Sequence, residues 1–377
     1  MQLYGHSTVS EFLADSVVYR NLIPSDPRLP PIDALREQAG LPPGLLPRKS
    51  EAEYGQVIAH LLCQARLLDT SRTTIQRLLF IGDTRLLDGT AFENICRAGG
   101  WPGLAFIGSE NDKQPAVEIV PTPNGQLLYL ANRWAALPDF DRYCASHGFP
   151  VDEATAVIID LDKTAIGARG RNACAIDQAR VDAVEKTMSG LLGAAFDPPA
   201  FRRDYDLLNQ PEFHPFTADN QDYLAYVCLV LGSGLFEVDS VVAQVRSGEL
   251  KSFTKFIAQV DERIANLPPG LADIHAEIYA AVQAGDPTPF KAFRRNEYLL
   301  TVGRMGHLAD DIEVETLLRD EIVITQEVRQ QALKWRRRGA LLFGLSDKPD
   351  EASTPTPELA SQGYEQIHRT ETHVVGD

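Results

Sequence analysis

The chain has 377 residues, 44% of them hydrophobic, and a formal net charge of -16 at pH 7. That length can bury one large core or two smaller ones, and the surplus of acid would repel a polyphosphate backbone, which argues against nucleic acid as a partner. The cysteines show no CxxC spacing, and the first segment, MQLYGHSTVSEFLADS, lacks the basic start and apolar run of a signal peptide, so a reducing cytoplasm is the expected location.

In chain order, residues 1–50 are broken by prolines and read as an irregular N-terminal arm with one short helix at 32–39. SEAEYGQVIAHLLCQARLL opens like a capping box and carries Val57, Ile58, Leu61, Leu62 and Ala65 at helical spacing. RLLFIGDT, GTAFENICRAGG and GLAFIGSE then read as strand, helix and strand, the unit of a parallel sheet. Asn124-Gly125 marks a hairpin, a helix follows at about 134–147, and TAVIIDLDKT is a further strand, completing a core segment at 51–173. From 174 to 318 apolar residues recur at helical intervals, without a strand signal, as in an inserted helical domain. Within it YLAYVCLVLGSGLF is too short for the roughly 20 residues that cross a bilayer, so it reads as a buried helix and no membrane partner is expected. DEIVIT, QEVRQQALKWRRR and ALLFGLS resume the sheet pattern over 319–352, and 353–377, rich in Ser, Thr, Pro and His, reads as an extended or mobile tail. The expected class is α/β: a three-layer, Rossmann-like parallel sheet core with an inserted all-helical domain.

Parallel sheets bind ligands beyond the carboxyl ends of their strands. The polar residues at those ends are Asp83 and Asp88 in GDTRLLDG, Asp160 and Asp162 in DLDKT, Thr325 in IVIT, and Asp347, Lys348 and Asp350 in SDKPDE. Two carboxylates in one small space cannot both stay charged cheaply unless a cation sits between them. Mg2+, which takes a few carboxylates, waters and phosphate oxygens, suits Asp160 facing Asp83 across adjacent strands. With that charge masked, Asp160 is placed to attack phosphorus while Asp162 moves the proton. Taken singly, Asp83 reads as well as a turn or helix-cap residue, and Thr325 as the cap of the following helix. Arg169 and Arg171, flanking Gly170, either reach a substrate phosphate or are plain surface arginines. His147, His214, His275, His307, His368 and His373 lack metal-ligand spacing, which argues against zinc.

DLDKT after an apolar strand resembles the DxDxT nucleophile motif of the haloacid-dehalogenase-like (HAD) phosphohydrolases, and GDTRLLD resembles that family's GDxxxxD acidic motif. The resemblance covers roughly the whole core. It implies Asp160 as nucleophile, Asp162 as general acid and base whose carbonyl also binds Mg2+, Asp83 and Asp88 as further metal-site acids, Thr164 as a substrate-side residue, and Thr325 as the residue holding the transferred phosphoryl group. The family's lysine is matched in relative place by Lys49, with Lys348 a rival and Lys334 a weaker one. The two motifs stand in the reverse of the family order, which implies a circular permutation, and the 174–318 insertion falls where the family carries a helical cap. The expected activity is Mg2+-dependent hydrolysis of a small phosphomonoester through an aspartyl-phosphate. Alternatives are a phosphotransferase or phosphomutase with the same intermediate, or a non-catalytic binding module.

Overall fold

A computed structural model describes residues 1–69 and 73–377. Among these, the strands are β1 (Gln2–Ser7), β2 (Val17–Val18), β3 (Arg77–Gly82), β4 (Gly103–Gly108), β5 (Val117–Pro121), β6 (Leu127–Ala131), β7 (Thr155–Asp160), β8 (Ile324–Thr325), β9 (Leu341–Leu345) and β10 (Thr372–Gly376). The chain divides into one unit of Met1–Gln178 with Thr301–Asp377 and a second of Ala179–Leu300.

The first unit is built on a seven-stranded sheet in the order β2-β9-β7-β3-β4-β6-β5, parallel throughout except where β5 turns back along β6. Strands β3, β4, β7 and β9 are almost wholly apolar because both faces are covered. On one face Leu78, Phe80, Ala105, Ala156, Ile158, Leu341 and Phe343 meet Val57, Ile58, Leu61 and Leu62 of helix Ala52–Asp69 and Phe92 and Ile95 of helix Leu87–Gly99. Each Val, Leu, Ile or Phe side chain among them contributes about 1.5–3 kcal/mol on burial. On the other face Phe106 packs on Trp134 and Phe140, and helix Gln326–Arg337 joins helix Leu137–Ser146 through a 2.8 Å hydrogen bond from Trp335 Nε1 to Asp141. The sheet between two helical layers is therefore observed, as is the hairpin, whose Gly125 takes φ +81 in the β5–β6 turn.

Three sequence expectations are corrected. Residues 1–50 include β1, β2 and two short helices, Ser10–Leu13 and Ile32–Leu35, the second shorter than expected. The segment 353–377 is not a loose tail: β10 is buried along its length, antiparallel to β1 and parallel to β8 in a separate three-stranded sheet. DEIVIT yields only the two residues of β8, in that small sheet, so the place beside β7 belongs to β9.

The buried His368 ring joins these peripheral segments, its Nδ1 2.9 Å from the Tyr19 hydroxyl and its Nε2 3.3 Å from Asp15. Burial, against the pull of Asp15, pushes its pKa down to about 4. The unfolded chain accepts a proton near the usual pKa of about 6.5 that the folded chain refuses, so stability is full above that value and falls as pH drops toward 4. The expected loss is up to about 1.4 kcal/mol per pH unit in that window. Urea midpoints of wild type and His368→Gln should diverge between pH 7 and pH 4.5, with the variant less acid-sensitive; parallel curves would count against it.

In the second unit the described residues form no strand, and the chain runs through helices including Pro198–Leu208, Gln221–Gly232, Val238–Arg246, Phe253–Asp261 and Pro269–Gln283. Asp197, Asn220 and Ser252 start three of them by accepting a backbone N–H. Gln221–Gly232 is the buried helix expected from its apolar run, lying in a core with Phe213, Phe216 and Phe256. Arg294 is buried between Asp222 (2.7 Å) and Glu297 (2.5 Å), an ion triad internal to this unit. No helix among the described residues of the chain is long and apolar enough to cross a membrane.

Candidate active site

β3 and β7 are parallel neighbours, with Ile81 against Ile159, so the residues that follow them leave the sheet at the same carboxyl edge. Strand alternation puts Asp160 on the face of Ala156 and Ile158, toward helices Ala52–Asp69 and Leu87–Gly99. Gly82, ending β3 on that face, leaves room for Asp88: a Cβ at position 82 would lie 2.7 Å from the Asp88 carboxyl. Asp88 Oδ2 accepts from the Asp83 amide (3.0 Å), the Thr84 amide (2.8 Å) and the Thr84 hydroxyl (2.9 Å). That closes the turn and frees Oδ1 for a cation.

The cation is Lys49, which precedes helix Ala52–Asp69. This helix crosses helix Leu87–Gly99 so closely at Gly55 that a Cβ there would meet the Asn94 backbone at 2.6 Å. Lys49 Nζ donates to Asp88 Oδ1 and to Asp160 Oδ1, both at 2.6 Å. Arg169 Nε donates to Asp83 Oδ2. Asp83, Asp88 and Asp160, all buried, each offer an oxygen, and these oxygens lie within 4.8 Å of one another.

Three carboxylates thus share a small space with two cations. Burial pushes Asp160 well above the usual carboxylate range, opposed by Lys49 and reinforced by the charges of Asp88 and Asp83. Burial, then the charge of Asp88, pushes Asp83 up to about 7. Asp88 is buried as well, yet Lys49 and the Thr84 amide hold it below the usual range. Lys49 is desolvated, but Asp160 and Asp88 keep it firmly protonated. With all three carboxylates ionised, the cluster carries one net negative charge, which a proton or a further cation would neutralise. Its donors are hard oxygens, the kind Mg2+ takes. Asp88 has both oxygens engaged, so Asp83 and the second oxygen of Asp160 are the groups best disposed toward such an ion.

The other sequence candidates fall in different places. Asp162 accepts a 2.7 Å hydrogen bond from Ser346, the residue that follows β9. Thr164 is fully buried, and its hydroxyl has no hydrogen-bond partner among the described residues. Thr325, expected to hold a phosphoryl group, instead spends its hydroxyl on the Thr164 carbonyl at 2.6 Å. Lys348 reaches Thr301 at 3.1 Å, while Lys49 is the lysine against Asp160. Arg171 is corrected too: its guanidinium, 1% exposed, is clamped between Glu110 (2.7 and 2.9 Å) and Glu327 (2.9 Å), which leaves it no reach toward a substrate. Arg169 remains partly exposed.

Ser346 is the residue that sequence reasoning missed. The signal was present, since ALLFGLS is a longer apolar run than DEIVIT and also ends on a hydroxyl. Thr325→Ala is expected to cost stability, about 1–3 kcal/mol for the orphaned buried Thr164 carbonyl. Urea unfolding of wild type and Thr325→Ala checks this, and equal midpoints would contradict it.

Comparison of the chain with protein-family models, curated proteins and solved structures returns no match.

Proposed function

We propose that the protein is a divalent-cation-dependent phosphohydrolase acting on a small phosphomonoester, with Asp160 as nucleophile. The observation that carries this reading is Lys49 bridging Asp160 and Asp88 with Asp83 alongside, acids and base drawn from separate segments to one sheet edge. Asp83 and Asp160 would hold Mg2+, which would offset the repulsion between the Asp160 carboxylate and an incoming phosphate. Asp88 acts through position, fixing Lys49 and the Asp83–Thr84 turn.

In the first step an Asp160 oxygen attacks phosphorus, the bond from phosphorus to the ester oxygen breaks, and Asp162 gives its proton to the departing oxygen. In the second, Asp162 takes a proton from water, the water oxygen attacks phosphorus, and Asp160 is released with inorganic phosphate. Lys49 balances negative charge on Asp160 and on the phosphoryl group. Ser346 donates to Asp162 and accepts from the Lys348 amide at 3.0 Å, which holds the Asp162 carboxyl in place.

The resemblance to a permuted HAD-like core is supported by β3 and β7 being neighbours although the acidic motif precedes the nucleophile motif in the chain. A cap role for the all-helical unit is supported by its insertion at 179–300, between Asp160 and Ser346.

The test is a screen of phosphorylated metabolites with added Mg2+, with excess chelator, and with Mg2+ restored. Phosphate release that disappears with chelator and returns with Mg2+ is expected. No release across the screen, or release indifferent to chelator, would overturn the reading.

A further inference from the structure

We propose that His6, Asp310 and His373 form a second metal site, independent of the carboxylate cluster, that takes a first-row ion of the Zn2+ type. His6 on β1 and His373 on β10 are paired across the strands, with ring centroids 4.0 Å apart. With Asp310 they each offer a ligand atom, and these atoms lie within 4.8 Å of one another.

The orientation of His373 makes this more than a cluster. Its ring is fully buried, and Nδ1 lies 2.6 Å from Glu321 Oε1. Glu321, itself without exposure, accepts from the Gly306 amide (2.9 Å) and the Thr372 hydroxyl (3.0 Å) on Oε1, and from the His307 and Leu308 amides (3.1 and 3.0 Å) on Oε2. A carboxylate surrounded by donors is an acceptor only, so the His373 Nδ1 carries a proton directed at it. With Nδ1 so engaged, Nε2 is the ring nitrogen that faces Asp310 Oδ1, 3.3 Å away. His6 Nδ1, 3.6 Å from the same Asp310 oxygen, brings a second imidazole to that point.

Carboxylate, histidine and metal in line is the usual way a buried acid fixes the tautomer of a ligating ring. Two imidazoles and one carboxylate favour Zn2+ and its neighbours over Mg2+, and three protein ligands leave a position open for water. Spacing along the sequence gave no hint because the ligands come from positions 6, 310 and 373. The bound ion would tether the Asp310 loop to the β1–β10 pair.

Chelator-stripped protein titrated with Zn2+ against a chromophoric chelator, and with Co2+ followed by its visible absorption, tests the site. His6→Ala and Asp310→Ala change exposed residues and should fold; each is expected to weaken Zn2+ binding by more than about 100-fold, beyond the typical cost of losing an outer partner of a ligand. Asp83→Asn should retain wild-type Zn2+ affinity, and Zn2+ should raise the melting temperature of wild type but not of His6→Ala. Equal Zn2+ binding by wild type, His6→Ala and Asp310→Ala would overturn the site, as would loss of binding in Asp83→Asn alone.

Discussion

Lys49→Met is expected to lower stability by about 3–5 kcal/mol at neutral pH, the usual cost of removing one partner from a buried ion pair. Lys49 is 4% exposed and holds Asp88 and Asp160 at 2.6 Å each, so without it buried carboxylates face one another with only Arg169 nearby. The sign of the pH dependence follows from Asp160. Burial already pushes its pKa up, and Lys49 is what opposes that push. A carboxyl whose folded pKa is raised costs stability as pH climbs from its unfolded pKa through the folded one. The variant should therefore regain stability on acidification, and also on addition of Mg2+, which supplies the missing charge. Urea unfolding at several pH values, with and without Mg2+, measures both recoveries. A variant as stable as wild type, or one indifferent to pH and Mg2+, would show that Lys49 does not hold this cluster together.

Asp160→Asn should reduce phosphate release by about 10⁴-fold or more, the scale seen when a covalent nucleophile is removed. Its effect on stability should have the opposite sign. Because burial holds Asp160 above the usual carboxylate range, its ionisation costs stability at neutral pH, and an amide of the same shape removes that cost while still accepting from Lys49. A variant at least as stable as wild type yet inactive separates a chemical role from a structural one. A stable variant that turns over at the wild-type rate would remove Asp160 from the chemistry.

The sequence announced the parts of the fold that depend on burial. RLLFIG, GLAFIG, TAVIID and LLFGL are apolar on both faces because helices cover both sides of the sheet, and such runs are legible without a partner. The GDTRLLD and DLDKT acids were legible for a related reason, since charge placed directly after a buried strand invites the question of what neutralises it. β1 and β10 were not legible: their pairing joins positions far apart in the chain, and QLYGHS is mostly polar and exposed. β8, at two residues, is too short to show a period, which let Thr325 take a place in the expected sheet that belongs to β9 and Ser346. Arg171 looked like a surface residue because its partners, Glu110 and Glu327, lie in distant segments that only the folded chain brings together.

The most direct measurement is chemical trapping during turnover. Protein quenched while hydrolysing a phosphomonoester with Mg2+ present, reduced with borohydride and digested for mass spectrometry, should carry homoserine at position 160, the product of reducing an aspartyl-phosphate there. Active protein that yields no homoserine at 160, or yields it at another aspartate, would contradict Asp160 as the group that takes the phosphoryl.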